Sequence, residues 1–336
     1  MVEQDESLPV SPGYAWLWGA GLVVLVAVAV LYARVVEYPF VRWDDGLLIY
    51  ENSAVMEISG NSLKRAFTTY DPELYIPLTL MSYQLDFQLS GGQPWTFHLT
   101  NIILHAFSAL LVGWLSYLLL RRRWLALFIA LLFALHPLHT EAAVWASARK
   151  DVLSTFFFFA SIIAYLRYRD TFSRRVFWVS VLCFLLGLMA KAMVITLPVV
   201  LLLLDGARGR RIDRTMVSEK WPHYGLALLF GLIAIGGKTR VIGSTAFSAK
   251  LLMAFKSSAF YLGQILWPTK LSLLYPYPYA IRSTSPDMLL AIAAVFGALL
   301  LAALAWRKSR IFSFGIVFFF LTAAPTFVNF AKGGEL

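Results

Sequence analysis

Apolar stretches, broken by short clusters of arginine and lysine, recur along the whole of this chain. A helix needs about 20 residues to cross the hydrocarbon core of a bilayer, so each stretch is read as a membrane-spanning helix. The first covers residues 14–33. The second, 97–120, ends on Arg121-Arg122-Arg123; the third is 124–139; the fourth, 152–168, is closed by Arg167, Arg169, Arg174 and Arg175. The next run, 176–204, is long enough for one helix but is basic at both ends. Lysine and arginine collect in cytoplasmic loops, so a single crossing would strand one cluster on the wrong side. The pattern therefore predicts a tight hairpin of two spans with Lys191 near its tip, returning to the basic loop 208–220. A seventh span follows at 222–237.

The apolar piece 251–267 carries Lys256 in its middle, and a crossing there would turn Arg307-Lys308-Ser309-Arg310 outward. It is therefore read as an interfacial helix. Spans at 288–306 and 311–330 complete the pattern. The expectation is a single all-α polytopic membrane domain over 1–336, with about nine transmembrane helices, its N-terminus inside, and two larger external segments at 34–95 and 238–287. The chain stops at Gly333-Gly334-Glu335-Leu336 directly after a span, as a fragment of a longer protein would.

Composition agrees. Apolar residues make up 59% of the chain and charged residues 14%, against about 25% charged in soluble domains. The net charge of +10 does not point to nucleic acid, because the basic residues fall in the short loops between spans. A lone Cys183 inside an apolar run excludes a disulfide framework. Glu3, Asp5 and Glu6 replace the basic start of a signal peptide, so 14–33 is expected to stay as an anchor. No glycine-rich nucleotide loop, zinc-spaced cysteines or repeat array is present.

Ionisable residues at membrane depth are costly, and four groups of them map to the external side. Asp44 and Asp45, in Trp43-Asp44-Asp45-Gly46, suit either a base for an incoming hydroxyl or a solvated turn. His98, Asn101 and His105 share one helix face, where polar residues also serve as interhelical glue. The third group is His136-Pro137-Leu138-His139-Thr140-Glu141, followed by Arg149-Lys150-Asp151. Pro137 breaks the helix that would align two histidines and a glutamate on zinc, so no metal ligands are assigned. Arg149 and Lys150 suit a phosphate, with snorkelling anchors as the alternative. Lys191, among apolar neighbours, needs a counter-charge: a lipid phosphate, Glu141 or Asp151. Acids and bases converging on one membrane face fit transfer from a lipid-linked phosphate, which needs a base for the hydroxyl and cations for the departing phosphate.

The run from Ala134-Leu135-His136-Pro137-Leu138-His139-Thr140-Glu141 into Ser147-Ala148-Arg149-Lys150-Asp151 resembles the TMTC-like (transmembrane and tetratricopeptide-repeat) O-mannosyltransferases and their bacterial relatives. Supporting runs are Phe97-His98-Leu99-Thr100-Asn101, Ala190-Lys191-Ala192-Met193, Leu266-Trp267-Pro268 and Leu274-Tyr275-Pro276. The resemblance implies a GT-C glycosyltransferase bundle using a polyprenyl-phosphate-linked sugar on the exoplasmic face. It implies an acidic base in the first external loop, matched by Asp44 with Asp45 in support. Glu141, Arg149, Lys150, Lys191, His98, Asn101 and His139 are then expected around substrate and phosphate. A mannose-like sugar would pass to a protein serine or threonine, or to a glycan. No cofactor is expected, although a divalent cation stays open. The family's repeats are missing after the spans, which leaves the acceptor open and favours a bacterial plasma membrane. The alternative is a transporter or flippase of lipid-linked sugars, which would use the phosphate cradle but not the aspartates.

Overall fold

The computed structural model describes residues 15–71, 73–237, 247–272, 275 and 283–327. The acidic N-terminus, much of the second external segment, Leu274 and Pro276 of the Leu-Tyr-Pro run, and the last residues of the chain lie outside these. Every regular element among the described residues is helical. In chain order they are α1 (Ala15–Tyr32), α2 (Gly60–Thr68), α3 (Pro77–Ser90), α4 (Pro94–Leu120), α5 (Arg123–Leu135), α6 (Thr140–Val144), α7 (Arg149–Thr171), α8 (Arg174–Ala190), α9 (Leu197–Ala207), α10 (Arg214–Ser218), α11 (Trp221–Gly237), α12 (Phe247–Leu266), α13 (Pro286–Ala305) and α14 (Arg310–Ala323).

Among the described residues, five helical segments are long and apolar enough to cross a membrane: Trp16–Glu37, Pro94–Leu120, Ala146–Thr171, Pro286–Ala305 and Arg310–Phe327. A sixth forms if Arg123–Leu135 and Pro137–Val144, bent by 49° at the proline, count as one span. The protein is thus an integral membrane protein, with fewer full-length spans than the nine expected. The other three predicted spans fold as shorter pieces: α8, the segment Ala192–Ala207, and α11. The long run 176–204 does turn back at Lys191, which adopts an extended backbone (φ −161°) between α8 and a 3-10 turn at Ala192–Thr196. Both its ends come to the C-terminal end of α7: α8 starts three residues beyond the end of α7, and Arg208 pairs with Asp170 at 2.8 Å.

The segment between α1 and α4 is ordered by its own chemistry. Ser59 and Ser62 form a reciprocal capping box at the start of α2. Pro77 opens α3 and Pro94 opens α4, where a missing N–H costs nothing. Between them Gly91 (φ +65°) and Gly92 (φ +84°) reverse the chain, and a Cβ on Gly92 would lie 2.8 Å from the Phe87 ring. The turn lays α3 across one end of the bundle. There Thr79 donates to the Ala190 carbonyl (3.0 Å), Tyr83 to that of Ala146 (3.1 Å), and Tyr70 to that of Ile233 (2.9 Å).

The central fastening of this end is Arg149, which is fully buried. Its guanidinium donates to Asp86 on α3 (2.6 Å), to Ser82 (3.1 Å), to the Phe97 carbonyl (2.9 Å), and to the Asn101 side-chain oxygen. It also stands 5.3 Å from the Tyr83 ring. α3, α4 and α7 are thereby joined, with α4 and α7 starting at the same end.

The opposite end carries the basic loops and has a buried network of its own. Lys220, with no exposure, donates to Asp205 (2.7 Å), Glu219 (3.1 Å) and the Met216 carbonyl (2.7 Å). Arg210 bridges Glu219 and Asp205, and Tyr165 donates among the same two carboxylates. This ties the loop between α9 and α11 to α7. Burial works against the Glu219 carboxylate, but hydrogen bonds from Arg210, Tyr165 and Lys220 overcome it and hold its pKa down at about 2.

Two outcomes are expected. Asp86→Ala leaves a buried guanidinium unpaired and should lower unfolding free energy by about 3–5 kcal/mol, seen as a lower thermal midpoint in detergent; an unchanged midpoint would show that the pair fastens nothing. Glu219 has a depressed folded pKa, so its contribution to stability is complete above its ordinary value of 4.5 and lost as pH falls toward about 2. In Glu219→Gln, acid titration of the midpoint over that window should flatten relative to the unmodified chain.

Candidate functional site

Asp44 and Asp45 are neighbours in sequence but have different surroundings. Asp45 is completely buried. Its two oxygens accept the backbone N–H groups of Val41 and Ser147, each at 2.9 Å. One carboxylate thus clasps the first external segment to the strap that leads into α7. Asp44 keeps 41% of its side chain exposed, and its nearest charged partner is Lys150, at 3.9 Å.

Lys150 sits in the first turn of α7, beside Arg149 in sequence but on another face, because adjacent helical residues point about 100° apart. Arg149 turns inward to Asp86; Lys150 turns toward Asp44. The Lys150 ammonium donates to the Ser147 carbonyl at 2.7 Å and stands 5.9 Å from the Trp145 ring. Nearby, Trp145 Nε1 and Ser147 Oγ are buried without a hydrogen-bond partner. Asp151, one residue on, forms an ion pair with Lys191 across the α8–α9 turn. Glu141 is exposed on α6, within electrostatic reach of Asp151, Lys191 and Lys150.

The expected residues therefore sort into two layers. Asp44, Glu141, Lys150 and Lys191 come together, with Asp151 among them. Asp45, His98, Asn101 and Arg149 lie behind, holding the strap. His98 Nδ1 meets the Val144 carbonyl at 2.8 Å, and Asn101 donates to that of Trp145 at 2.8 Å while accepting from Arg149. Arg149 had been expected on a phosphate. Its donors are committed to Asp86, Ser82, Asn101 and Phe97, so the geometry makes it a fastening for the site rather than a phosphate contact. His139 stands apart from the charged group. Its ring packs 4.3 Å from Phe133 and 5.7 Å from His105.

His139 and His105 belong instead to the wall of a cavity of about 270 Å³. Asp151 lines it at the charged end, and Phe133, Phe158, Phe159 and Phe318 make it largely apolar farther in. It lies between α4, α7, the turn before α9, and α14. A charged group therefore adjoins an apolar hollow among helices of membrane length. Among the described residues no three His, Cys, Asp or Glu side chains are grouped to hold a metal ion.

One contributor is not legible in the sequence. Asp86 carries no motif; its one signal is an acid in an otherwise weakly polar helix, with a buried arginine available to face it. Asp151, one of the counter-charges the sequence offers Lys191, is the one that pairs with it.

No family model matches the chain, and no solved structure matches it. Curated proteins do. The chain is 36% identical over 97 residues to Protein O-mannosyl-transferase TMTC2 of Homo sapiens, covering 29% of this chain and 12% of that protein. It is 32% identical over 164 residues to Protein O-mannosyl-transferase TMTC1 of Mus musculus (45% and 17%). It is 34% identical over 141 residues to Protein O-mannosyl-transferase Tmtc2 of Drosophila melanogaster (40% and 15%). In each case the match spans less than a fifth of the relative's length. Over these partial stretches the chain is similar to the TMTC-type protein O-mannosyl-transferases.

Proposed function

We propose that the protein is a GT-C-type inverting glycosyltransferase that moves a mannose-like sugar from a polyprenyl-phosphate donor to a hydroxyl, a protein serine or threonine by analogy with the relatives' names. The observation that carries this reading is the unequal state of the two aspartates. Asp45 is saturated by backbone N–H groups, while Asp44 keeps exposed oxygens beside Lys150. A base for an incoming hydroxyl needs that freedom, and a neighbouring residue locked in place gives it a fixed position.

In this reading Asp44 takes the proton from the acceptor hydroxyl. The oxygen attacks the anomeric carbon from the face opposite the phosphate, and the bond from that carbon to the phosphate oxygen breaks. The electron pair leaves with the polyprenyl phosphate, whose added charge falls to the ammonium groups of Lys150 and Lys191. Preorganised cations at the point where charge develops are among the largest contributions an enzyme makes. The positive end of the α7 dipole, at Arg149–Asp151, acts in the same sense. Lys191 is already paired with Asp151 and would share itself between carboxylate and phosphate. The apolar cavity beside Asp151 suits the first isoprene units of the donor. Proton acceptance at Asp44 and phosphate release at the lysines would then take place at the exoplasmic membrane face, Glu141 lying at the rim where the sugar enters.

Purified Asp44→Asn is expected to transfer sugar from a polyprenyl-phosphate donor about 10²–10⁴-fold more slowly, the usual contribution of a general base, with an unchanged thermal midpoint. An unchanged rate would remove Asp44 from the mechanism. Asp45→Asn should lower the midpoint as well as the rate, because it loses acceptors for Val41 and Ser147. For the lysines, Lys150→Met should depress turnover more than donor binding, since its partner is charge that appears late in the reaction. Equal losses in both would make Lys150 a binding contact only.

A further inference from the structure

A second hollow, about 710 Å³, lies between α1, α4 and α5, toward the end that carries the basic loops. Gly21, Gly113, Ala126 and Ala130 keep its floor low; Trp16 and Trp114 help to wall it. A Cβ on Gly113 would come within 2.9 Å of the Ala130 Cβ, so α4 and α5 close tightly beneath the groove. A Cβ on Gly21 would meet only Leu110, at 3.8 Å.

Its depth is informative. Along α4 the lining runs from Phe107 to Tyr117, roughly 15 Å at 1.5 Å per residue. That is about half of a 30 Å hydrocarbon core, the thickness of one leaflet. At the mouth Trp16 packs 5.5 Å from the Tyr117 ring, and the Arg123 guanidinium lies 5.8 Å from the Trp16 ring. Arg121 and Arg122 are exposed beside it, and neither side chain has a hydrogen bond or ion pair among the described residues. An apolar slot one leaflet deep, with exposed arginines beside its mouth, matches one kind of molecule in charge and in length.

We infer that the groove between α1, α4 and α5 binds an anionic phospholipid of the leaflet on the basic side, an acyl chain lying along Gly21 and Gly113 and the phosphate held by Arg121 and Arg122. Basic pockets between membrane helices take anionic headgroups in this way. The lipid would fill the space that keeps α1 from closing on α4 and α5. It is at the opposite end of the bundle from Asp44 and Lys150, so the inference does not depend on sugar transfer.

Native mass spectrometry of the full chain in detergent, with phosphatidylglycerol and phosphatidylcholine added in equal amounts, tests it. The unmodified chain is expected to retain one phosphatidylglycerol in preference to phosphatidylcholine. Arg121→Gln with Arg122→Gln should reduce that preference by about tenfold, since each basic residue at a membrane surface contributes measurably. Gly21→Phe should lower retention of both lipids by filling the groove, and Ala20→Leu should do so more mildly if the larger change disturbs folding. Equal retention of both lipids by the unmodified chain would overturn the inference, as would unchanged retention in all variants. So would a dimer that Gly21→Phe dissociates with no change in lipid.

Discussion

The arrangement at the charged end depends on one buried cation. Burying a guanidinium is costly, and partial satisfaction costs nearly as much as none. Arg149 meets this demand with a carboxylate, an amide oxygen, a hydroxyl and a main-chain carbonyl, drawn from two other helices. Arginine suits the task better than lysine because its planar fork reaches several acceptors at once while its charge cannot be lost. The consequence is rotational. Once Arg149 is fixed inward, the helix has no freedom left, and Lys150 and Asp151 must emerge toward Asp44 and Lys191. A residue that touches no candidate substrate group therefore sets the direction of those that would.

A second constraint works along the strap before α7. Asp45 accepts main-chain N–H groups on both sides of the site, from Val41 and Ser147, which are far apart in the chain. Asn101 and His98 hold the carbonyls of the same strap. Its polar backbone, which would be unsatisfied in so apolar a bundle, is thereby accounted for. Asp44 is left as the acid with no structural duty. Two adjacent aspartates thus show how identical chemistry is divided by environment: one is a fastener because its oxygens are saturated, and the other is available because they are not.

Much of the plan could be read from the chain, and the reasons for what could not are local. Basic clusters at both ends of 176–204 pointed to the reversal at Lys191, because charge bias acts on whole loops and survives small errors of boundary. Helix lengths were less legible. Pro137 interrupts an apolar run whose hydropathy is continuous, and the run 176–204 breaks at Lys191 before Pro198 opens α9, so α5, α8 and α9 come out shorter than the runs containing them. The choice between Arg149 and Lys150 as the outward cation was not legible either. It depends on helix phase, and that phase is set by Asp86, 63 residues earlier. Nothing near Arg149 in the sequence signals which of the two neighbours turns inward. The same holds for Asp205, which ends a leucine run and meets Lys220 only once α9 and α10 have folded together.

The two ends of the bundle use charge in opposite ways, and the comparison bears on which one does chemistry. At the basic end Lys220 has three protein acceptors for its three donors, and Glu219 and Asp205 are each met by several cations. A newcomer to that network gains little, because each of its groups would have to break an existing bond before making a new one. At the other end Lys150 has one close acceptor, and Asp44 lies beyond hydrogen-bond distance at 3.9 Å. Lys191 has a single carboxylate, itself partly exposed. These ammonium groups hold donors that the protein leaves unused, close to Asp151, which lines an apolar hollow. An anion attached to a hydrophobic tail would satisfy both at once: the tail loses its contact with water or crowded lipid, and the phosphate fills donor positions that cost nothing to vacate. The saturated network is glue; the unsaturated one has capacity to bind, and in the proposed mechanism the carboxylate beside it is what would turn binding into reaction.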